Sequence, residues 1–194
     1  QNELDIARAE GKPKIAAHLE GPWKGLRRSS SQDFLSSPPT GYDKEKLLSL
    51  AKRLCTLPAD KPFFSKIVNI FRDRAAMIEK NSFDWAMGEL LAYATLLEEG
   101  FPVRFSGQDV ERGTFSHRHA VVKIDDSSEE YLPLNHIADL QAKFEIYNSL
   151  LSEYAVLGFE LGYAMGTPRA LTIWEAQFGD FFNGAQIIID QFIT

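Results

Sequence analysis

Between Tyr147 and Gln191 the chain reads YNSLLSEYAVLGFELGYAMGTPRALTIWEAQFGDFFNGAQIIIDQ, and this stretch limits the possible folds most. A polar turn carrying Glu153 opens a glycine-spaced apolar segment. A β-rich run, Ala170 to Trp174, follows, and then an aromatic loop that opens a second helical run. This is the order of a helix–strand–helix unit of an α/β domain, with polar groups gathered at element ends. Ser152 suits an N-cap, which puts Glu153 in the first turn of the helix. Beyond it Ala155, Val156, Leu157, Phe159 and Leu161 surround Gly158 almost without interruption, so the helix is expected to be buried on most of its circumference. A carboxylate at the mouth of such a helix is either a cap or a functional group.

Composition removes several classes of function. The net charge of −6 argues against nucleic acid as the main partner. The single cysteine, Cys55, allows no intramolecular disulfide, and neither CxxC nor HExxH occurs. Both facts fit a reducing compartment and a protein part that binds no metal. No apolar run reaches the roughly 18 residues of a membrane span, and the start QNELDIARAEGKPK lacks a signal peptide's apolar centre. The chain is therefore expected to be soluble, with no membrane partner. Its 194 residues, 44% of them hydrophobic, suffice for one core and an appended arm. It starts at Gln1 and ends in IIIDQFIT without a glycine cap or polar stop, as a piece of a longer polypeptide would.

Residues 1–42 hold most of the glycine, proline and serine punctuation and are expected to form an extended connector. Trp23, Phe34 and Leu35 are spaced along it like docking anchors. The Arg27-Arg28-Ser29-Ser30-Ser31 run could bind phosphate or be phosphorylated, or simply be solvated. Residues 43–80 read as a helical connector. Asp43 caps a helix from Lys44 to Leu57, Pro58 stops it, and a second helix runs from near Pro62 to Glu79. Cys55, in the last turn of the first helix, has nothing beside it to activate a thiol and is expected to be passive. A third helix, Phe83 to Glu99, turns Trp85, Met87, Leu90, Leu91, Ala94 and Leu97 inward and ends at Gly100. Short strands are expected at Phe101 to Ser106, His119 to Ile124 and Glu130 to Leu132, with the last two joined by a hairpin over residues 125–128. Pro133 to Lys143 reads as irregular.

Candidate chemistry gathers after strands. Gln108, Asp109, Arg112 and Gly113 follow one, and Glu175, Gln177, Phe178, Asp180 and Phe181 follow another; ligands in open α/β sheets collect at such carboxyl ends. Each group could instead be a turn satisfying its own backbone. His117 and His119 flank Arg118, and in a strand register they would point to one side, as a basic cluster for an anionic substrate or as two turn histidines. His18 and His136 have no partner in sequence. Neither GxGxxG nor GxxxxGK[ST] occurs, and the Gly158, Gly162, Gly166 spacing lies inside a helix, where it permits close packing.

The runs SGQDVERGTFSHRHAV, FDWAMGELLAYATLLEEGFPVRFSG and WEAQFGDFFNGAQ closely resemble the E1 component of 2-oxoglutarate dehydrogenase. This family uses thiamine diphosphate and has a transketolase-like architecture. The resemblance covers residues 42–194 well and the segment around GPWKGLRR weakly. It implies an α/β fold, a mostly parallel sheet flanked by helices and preceded by an extended and helical linker. Residues 81–194 would be the first, incomplete part of a pyrimidine-binding domain. It also implies decarboxylation of 2-oxoglutarate and succinyl transfer to a lipoyl group on the E2 dihydrolipoyl succinyltransferase. Such a complex would be cytoplasmic in a bacterium and in the mitochondrial matrix of a eukaryote.

The same resemblance assigns residues. Glu153 falls on the glutamate that meets the cofactor's aminopyrimidine ring nitrogen, where a carboxyl favours the tautomer able to take the C2 proton. Burial among Leu150, Leu151 and Phe159 opposes the pull of the helix N-terminus on it, and desolvation is expected to dominate once the cofactor seals the pocket. Leu151 matches the apolar support of the cofactor's bent shape, Phe181 the aromatic stacked on the pyrimidine, and Gln108 and Gln177 polar neighbours of the cofactor. His117 and His119 match the family's HRH and would face the substrate carboxylates. The family's GDG and asparagine, which hold diphosphate and Mg2+, do not occur in this chain, and Gly179-Asp180-Phe181 is not that motif. Magnesium would be held by an upstream domain, the cofactor would lie between two subunits of a homodimer, and this piece alone would neither bind it tightly nor turn over. Two alternatives stay open: a non-catalytic α/β interaction module with Glu153 as a plain cap, and an E1 for a different 2-oxo acid.

Overall fold

A computed structural model describes Asp5, Ile6, Ala9 and residues 21–194. His18 lies outside the described residues. The chain divides into two compact units, Gln1–Pro38 and Pro39–Thr194. In the first, short 3-10 turns span Gly21–Trp23 and Ser31–Phe34. Arg27 pairs with Asp33, which also accepts from the Ser30 amide (2.7 Å) and hydroxyl (2.9 Å). Phe34 and Leu35 are exposed.

The second unit begins with helix α1 (Lys44–Leu54), where the Asp43 carboxylate caps the Lys46 amide at 2.9 Å. It stops three residues before the expected Leu57, and Cys55 sits just past its end, buried, with its thiol pushed up to about 11 by that burial. Helix α2 (Ser65–Lys80) starts later than Pro62 suggested. Pro62 and Phe63 are instead drawn into an extended edge: the Pro62 carbonyl accepts from the Asp125 amide (2.8 Å) and Phe63 bridges Ile124. Helix α3 (Trp85–Glu98) is capped by Asp84, whose carboxylate accepts from the Met87 amide at 2.8 Å. Met87, Leu90, Leu91, Ala94 and Leu97 are buried as expected, but Trp85 is 93% exposed. It occupies the first helical position, before the buried stripe begins. Gly100, at φ 87°, reverses the chain after the helix, and the Phe101 amide bonds back to Leu96 at 2.8 Å.

Strand β1 (Val103–Gly107) is the middle of a parallel three-stranded sheet. The antiparallel pair β2 (Val122–Lys123) and β3 (Glu130–Tyr131) forms the expected hairpin, shorter at both ends. A 3-10 turn follows at Pro133–His136, with the His136 ring stacked on Tyr131 at 4.7 Å. Strand β4 (Phe144–Asn148) pairs with one side of β1 and strand β5 (Leu171–Glu175) with the other. The sequence pattern missed β4: Glu145 and Asn148 break a five-residue run into something that reads as loop. Four of the five β1 residues are buried, as expected of a strand covered on both faces. Leu97, Val103, Phe105, Leu134 and Phe144 form the centre of one core, to which α1 and α3 both contribute.

Helix α4 (Glu153–Gly166) departs most from expectation. Only Leu157 and Glu160 are buried on it, while Phe159 and Met165 are about 60% exposed, at 60% and 61%. Its apolar residues surround the whole circumference, and a three-stranded sheet can cover only one side. The helix is fixed to β1 by a buried pair: Glu160 accepts from Arg104 at 2.8 and 2.9 Å. The rings of Tyr147, Phe159 and Tyr163 surround that guanidinium at 4.9, 5.1 and 4.7 Å. After β5 come a 3-10 turn, Asp180–Phe182, and a single α turn, α5 (Gln186–Ile188), that runs into a π turn over Ile189–Ile193. Ile188 and Ala185 close a small cluster with Leu157 of α4.

Candidate functional site at the carboxyl edge of the sheet

The register of the parallel sheet sets Gly107, Asn148 and Glu175 side by side at the ends of their strands. Every candidate from the sequence follows one of these three residues. Gly107 must be glycine here, because a Cβ would lie 2.7 Å from the Glu175 carbonyl oxygen and 2.6 Å from Val110. That close approach draws the β1 and β5 exits together. Gln177 completes the join: its Nε2 donates to the Gln108 carbonyl at 3.4 Å and its Oε1 accepts from the Thr114 hydroxyl at 2.9 Å.

The Gln177 amide in turn donates to Asp180 at 2.9 Å, and the Asp180 carbonyl accepts from the Ala185 amide at 3.0 Å. This folds the Phe181 turn back so that Gly184 faces Glu153. A Cβ on Gly184 would stand 2.5 Å from Glu153 Oε2. Glu153 is half-buried, and its carboxylate makes no hydrogen bond or ion pair among the described residues. Ser152 rather than Glu153 is the cap, its hydroxyl accepting from Ala155 at 3.3 Å. The desolvation expected from Leu150, Leu151 and Phe159 is not provided by this chain, for they are 77%, 79% and 60% exposed. Phe181 (55%) and Phe178 (97%) are exposed as well. The structure brings Gly184 to Glu153 and Gln177 to Gln108, and it leaves Leu151, two residues before Glu153, and Phe181, three before Gly184, exposed.

The two histidines are separated. The segment 117–119 is not a strand, and His119 has the left-handed φ of 42°. Its Nε2 is bonded into its own turn, 3.1 Å from the Ser116 hydroxyl and 3.0 Å from the Ser116 carbonyl. Burial, and after it the charge of Arg74, push its pKa down. His117 instead lines a cleft of about 680 Å³ with Trp85, Gly88, Glu89, Arg118 and Glu175. It shares a second hollow of about 240 Å³ with Thr114, Phe115, Gln177 and Phe178. The residue that sequence reasoning passed over is Arg118, which is 1% exposed. Its guanidinium bonds Glu89 twice at 3.0 Å, Glu175 at 2.6 and 3.4 Å, and the Val110 carbonyl at 2.8 Å, over the Phe105 ring at 4.5 Å. Burial alone would lower its pKa, but the bonds to the two carboxylates outweigh this and raise it.

Among the described residues no group of three metal-ligating side chains could hold an ion, and no helix is long and apolar enough to cross a membrane. Residues 81–194 match the family model for the transketolase pyrimidine binding domain. The chain is 47% identical to a 2-oxoglutarate dehydrogenase E1 component of Brucella anthropi over 195 aligned positions, which take in 100% of this chain and 19% of that protein. It is 49% identical to the Rickettsia felis protein of the same name (93% of this chain, 18% of the relative) and 46% identical to that of Brucella ovis (94% and 18%). The chain therefore spans about a fifth of the length of these relatives. By fold and by sequence, it belongs to the transketolase pyrimidine-binding domain family.

Proposed function

We propose that this chain is the cofactor-activating part of a thiamine diphosphate-dependent E1 component. Such an E1 decarboxylates 2-oxoglutarate and passes the succinyl group to the lipoyl group of an E2 dihydrolipoyl succinyltransferase. The observation that carries the proposal is Glu153: a half-buried carboxylate, unpaired among the described residues, at the carboxyl edge of a parallel sheet, facing a glycine that leaves its oxygens room. The names of the relatives supply the substrate and, through it, the E2 partner.

The residues present fit an aminopyrimidine ring. Glu153 offers a free carboxyl, Gly184 leaves it room that a Cβ would take, and Leu151 and Phe181 offer exposed apolar side chains close to them in sequence. When bound, thiamine diphosphate supplies the carbon nucleophile that a 2-oxo acid needs before it can lose carbon dioxide. Glu153 would hold a proton at the ring nitrogen, Leu151 would support the cofactor's apolar part, and Phe181 would pack on the pyrimidine. Gln177 spends its side chain on Thr114 and Gln108, so its part is to hold the Gln108 loop against the ring. His117 faces the substrate from the cleft, and His119 supports it from within the turn. Diphosphate and Mg2+ are held by another domain of the longer protein, across the interface of a homodimer. In that protein residues 1–42 serve as linker, 43–80 as helical connector and 81–194 as the first part of the pyrimidine-binding domain, the last of these supported by the family match. In a bacterium the complex works in the cytoplasm.

The test is succinyl transfer from 2-oxoglutarate to a lipoyl domain by the full-length protein. Glu153→Gln is expected to lower it by about 10²–10⁴-fold, the usual worth of a proton-transfer group, without unfolding the protein. Undiminished transfer in that variant would remove Glu153 from the chemistry.

A further inference from the structure

Two buried arginines hold the segment that carries His117. From α2, Arg74 Nη2 donates to the backbone carbonyls of His117 (3.0 Å) and Arg118 (2.6 Å). From the segment itself, the Arg118 fork reaches Glu89 on α3, Glu175 at the end of β5 and the Val110 carbonyl. Three elements and a loop are thereby tied to one short stretch that has no regular secondary structure of its own. Such a network is costly to bury and is not needed for stability alone, since apolar side chains would fill the space at less cost. What it fixes is geometry.

The geometry it fixes is that of the His117 ring. The ring lies against Gly113, whose added Cβ would come 2.5 Å from Cε1 and 2.6 Å from Nδ1. Nδ1 is buried with no hydrogen-bond partner. A sealed N–H is the costlier of the two ways to leave that nitrogen unmatched, so the neutral ring keeps its proton on Nε2. The Nε2 N–H is then the donor that His117 has to offer to the cleft and the second hollow it lines. Glu89 and Glu175, which share that cleft, are both occupied by Arg118 and do not compete for the donor.

We infer that Arg118, clamped between Glu89 and Glu175, is a positioning residue that sets His117 as the donor to an oxygen of the 2-oxo acid. The inference rests on the function proposed above and adds to it the group that meets the substrate and the device that aims it. The arginine acts through its fork rather than its charge, because a lysine has the charge but cannot bridge two carboxylates and a carbonyl at once.

A double-mutant cycle in the full-length protein with thiamine diphosphate and Mg2+ tests this. Arg118→Lys is expected to lower kcat/KM for 2-oxoglutarate by on the order of 10–100-fold, as misplacement of a substrate-facing group does, mostly through KM. In a His117→Ala background the same substitution should cost less than about 3-fold, because the two residues act as one. Exchange of the cofactor's C2 proton should stay within about 2-fold of wild type in every variant, which separates this role from that of Glu153. If Arg118→Lys does not fold, Glu89→Gln, which frees one partner and keeps the arginine, takes its place in the cycle. Equal cost in both backgrounds, or slowed C2 exchange in Arg118→Lys, would overturn the inference. An unaltered protein that does not turn over 2-oxoglutarate would overturn the function itself, and would be seen before any substitution is made.

Discussion

Glu153 and His119 show what burial means for single residues. Glu153 is half-buried and unpaired, held open by the absence of a side chain at Gly184. His119 is 7% exposed and sealed in its turn, with its pKa lowered first by burial and then by Arg74. Its neutral form is therefore the native one. Above the unfolded value of about 6.5 the group puts no strain on the fold. As pH falls below that value the unfolded chain gains a proton that the native state resists, and stability drops until the lowered native pKa is passed. Thermal midpoints measured from pH 7 to 5 should fall less in His119→Gln than in wild type, and identical slopes would contradict this. Glu153 was legible because a cap and a buried-looking helix flank it. Arg118 was not: its acid partners lie 29 and 57 residues away, and between two histidines it reads as one more cation of a basic cluster.

Elements were legible where one signal dominated them. Asp43 and Ser152 each preceded an expected helix and each caps one, whereas the helix expected from Phe83 starts at Trp85 with Asp84 as its cap. Strand β4 was lost because a five-residue edge strand with polar residues carries too little pattern to separate from loop. Helix α4 misled in the other direction: an all-apolar circumference signalled burial that the three strands here do not supply. How α4 meets the turn after β5 is set by Gly184. In Gly184→Ala the new methyl would strike the Glu153 carboxylate, which must swing from its place. The full-length variant is expected to remain folded, since surface changes of this kind cost only about 0.5–1 kcal/mol, and to bind thiamine diphosphate at least about 10-fold more weakly by calorimetry. Wild-type affinity would show that Glu153 does not need this backbone approach.

For the molecule as a whole, the sheet's carboxyl edge, where the proposed site lies, is the least finished surface. Leu150, Leu151, Phe178, Phe181 and Phe182 stand exposed there, a concentration of apolar surface that marks a face made to be covered. The relatives are about five times longer than this chain. The α/β class and most of the helices could be read from the residues, and the parallel sheet from the resemblance they carry, but one of its three strands, β4, could not. Which of the edge residues face one another could not, because that depends on register and on contacts between residues far apart in the chain. The most direct test is hydrogen–deuterium exchange at the C2 position of thiamine diphosphate bound to the full-length protein, followed by proton NMR after rapid quenching. Glu153→Gln should slow this exchange by at least about 100-fold with the cofactor still bound, whereas exchange at the wild-type rate would show that the proton at issue is not managed by this carboxyl.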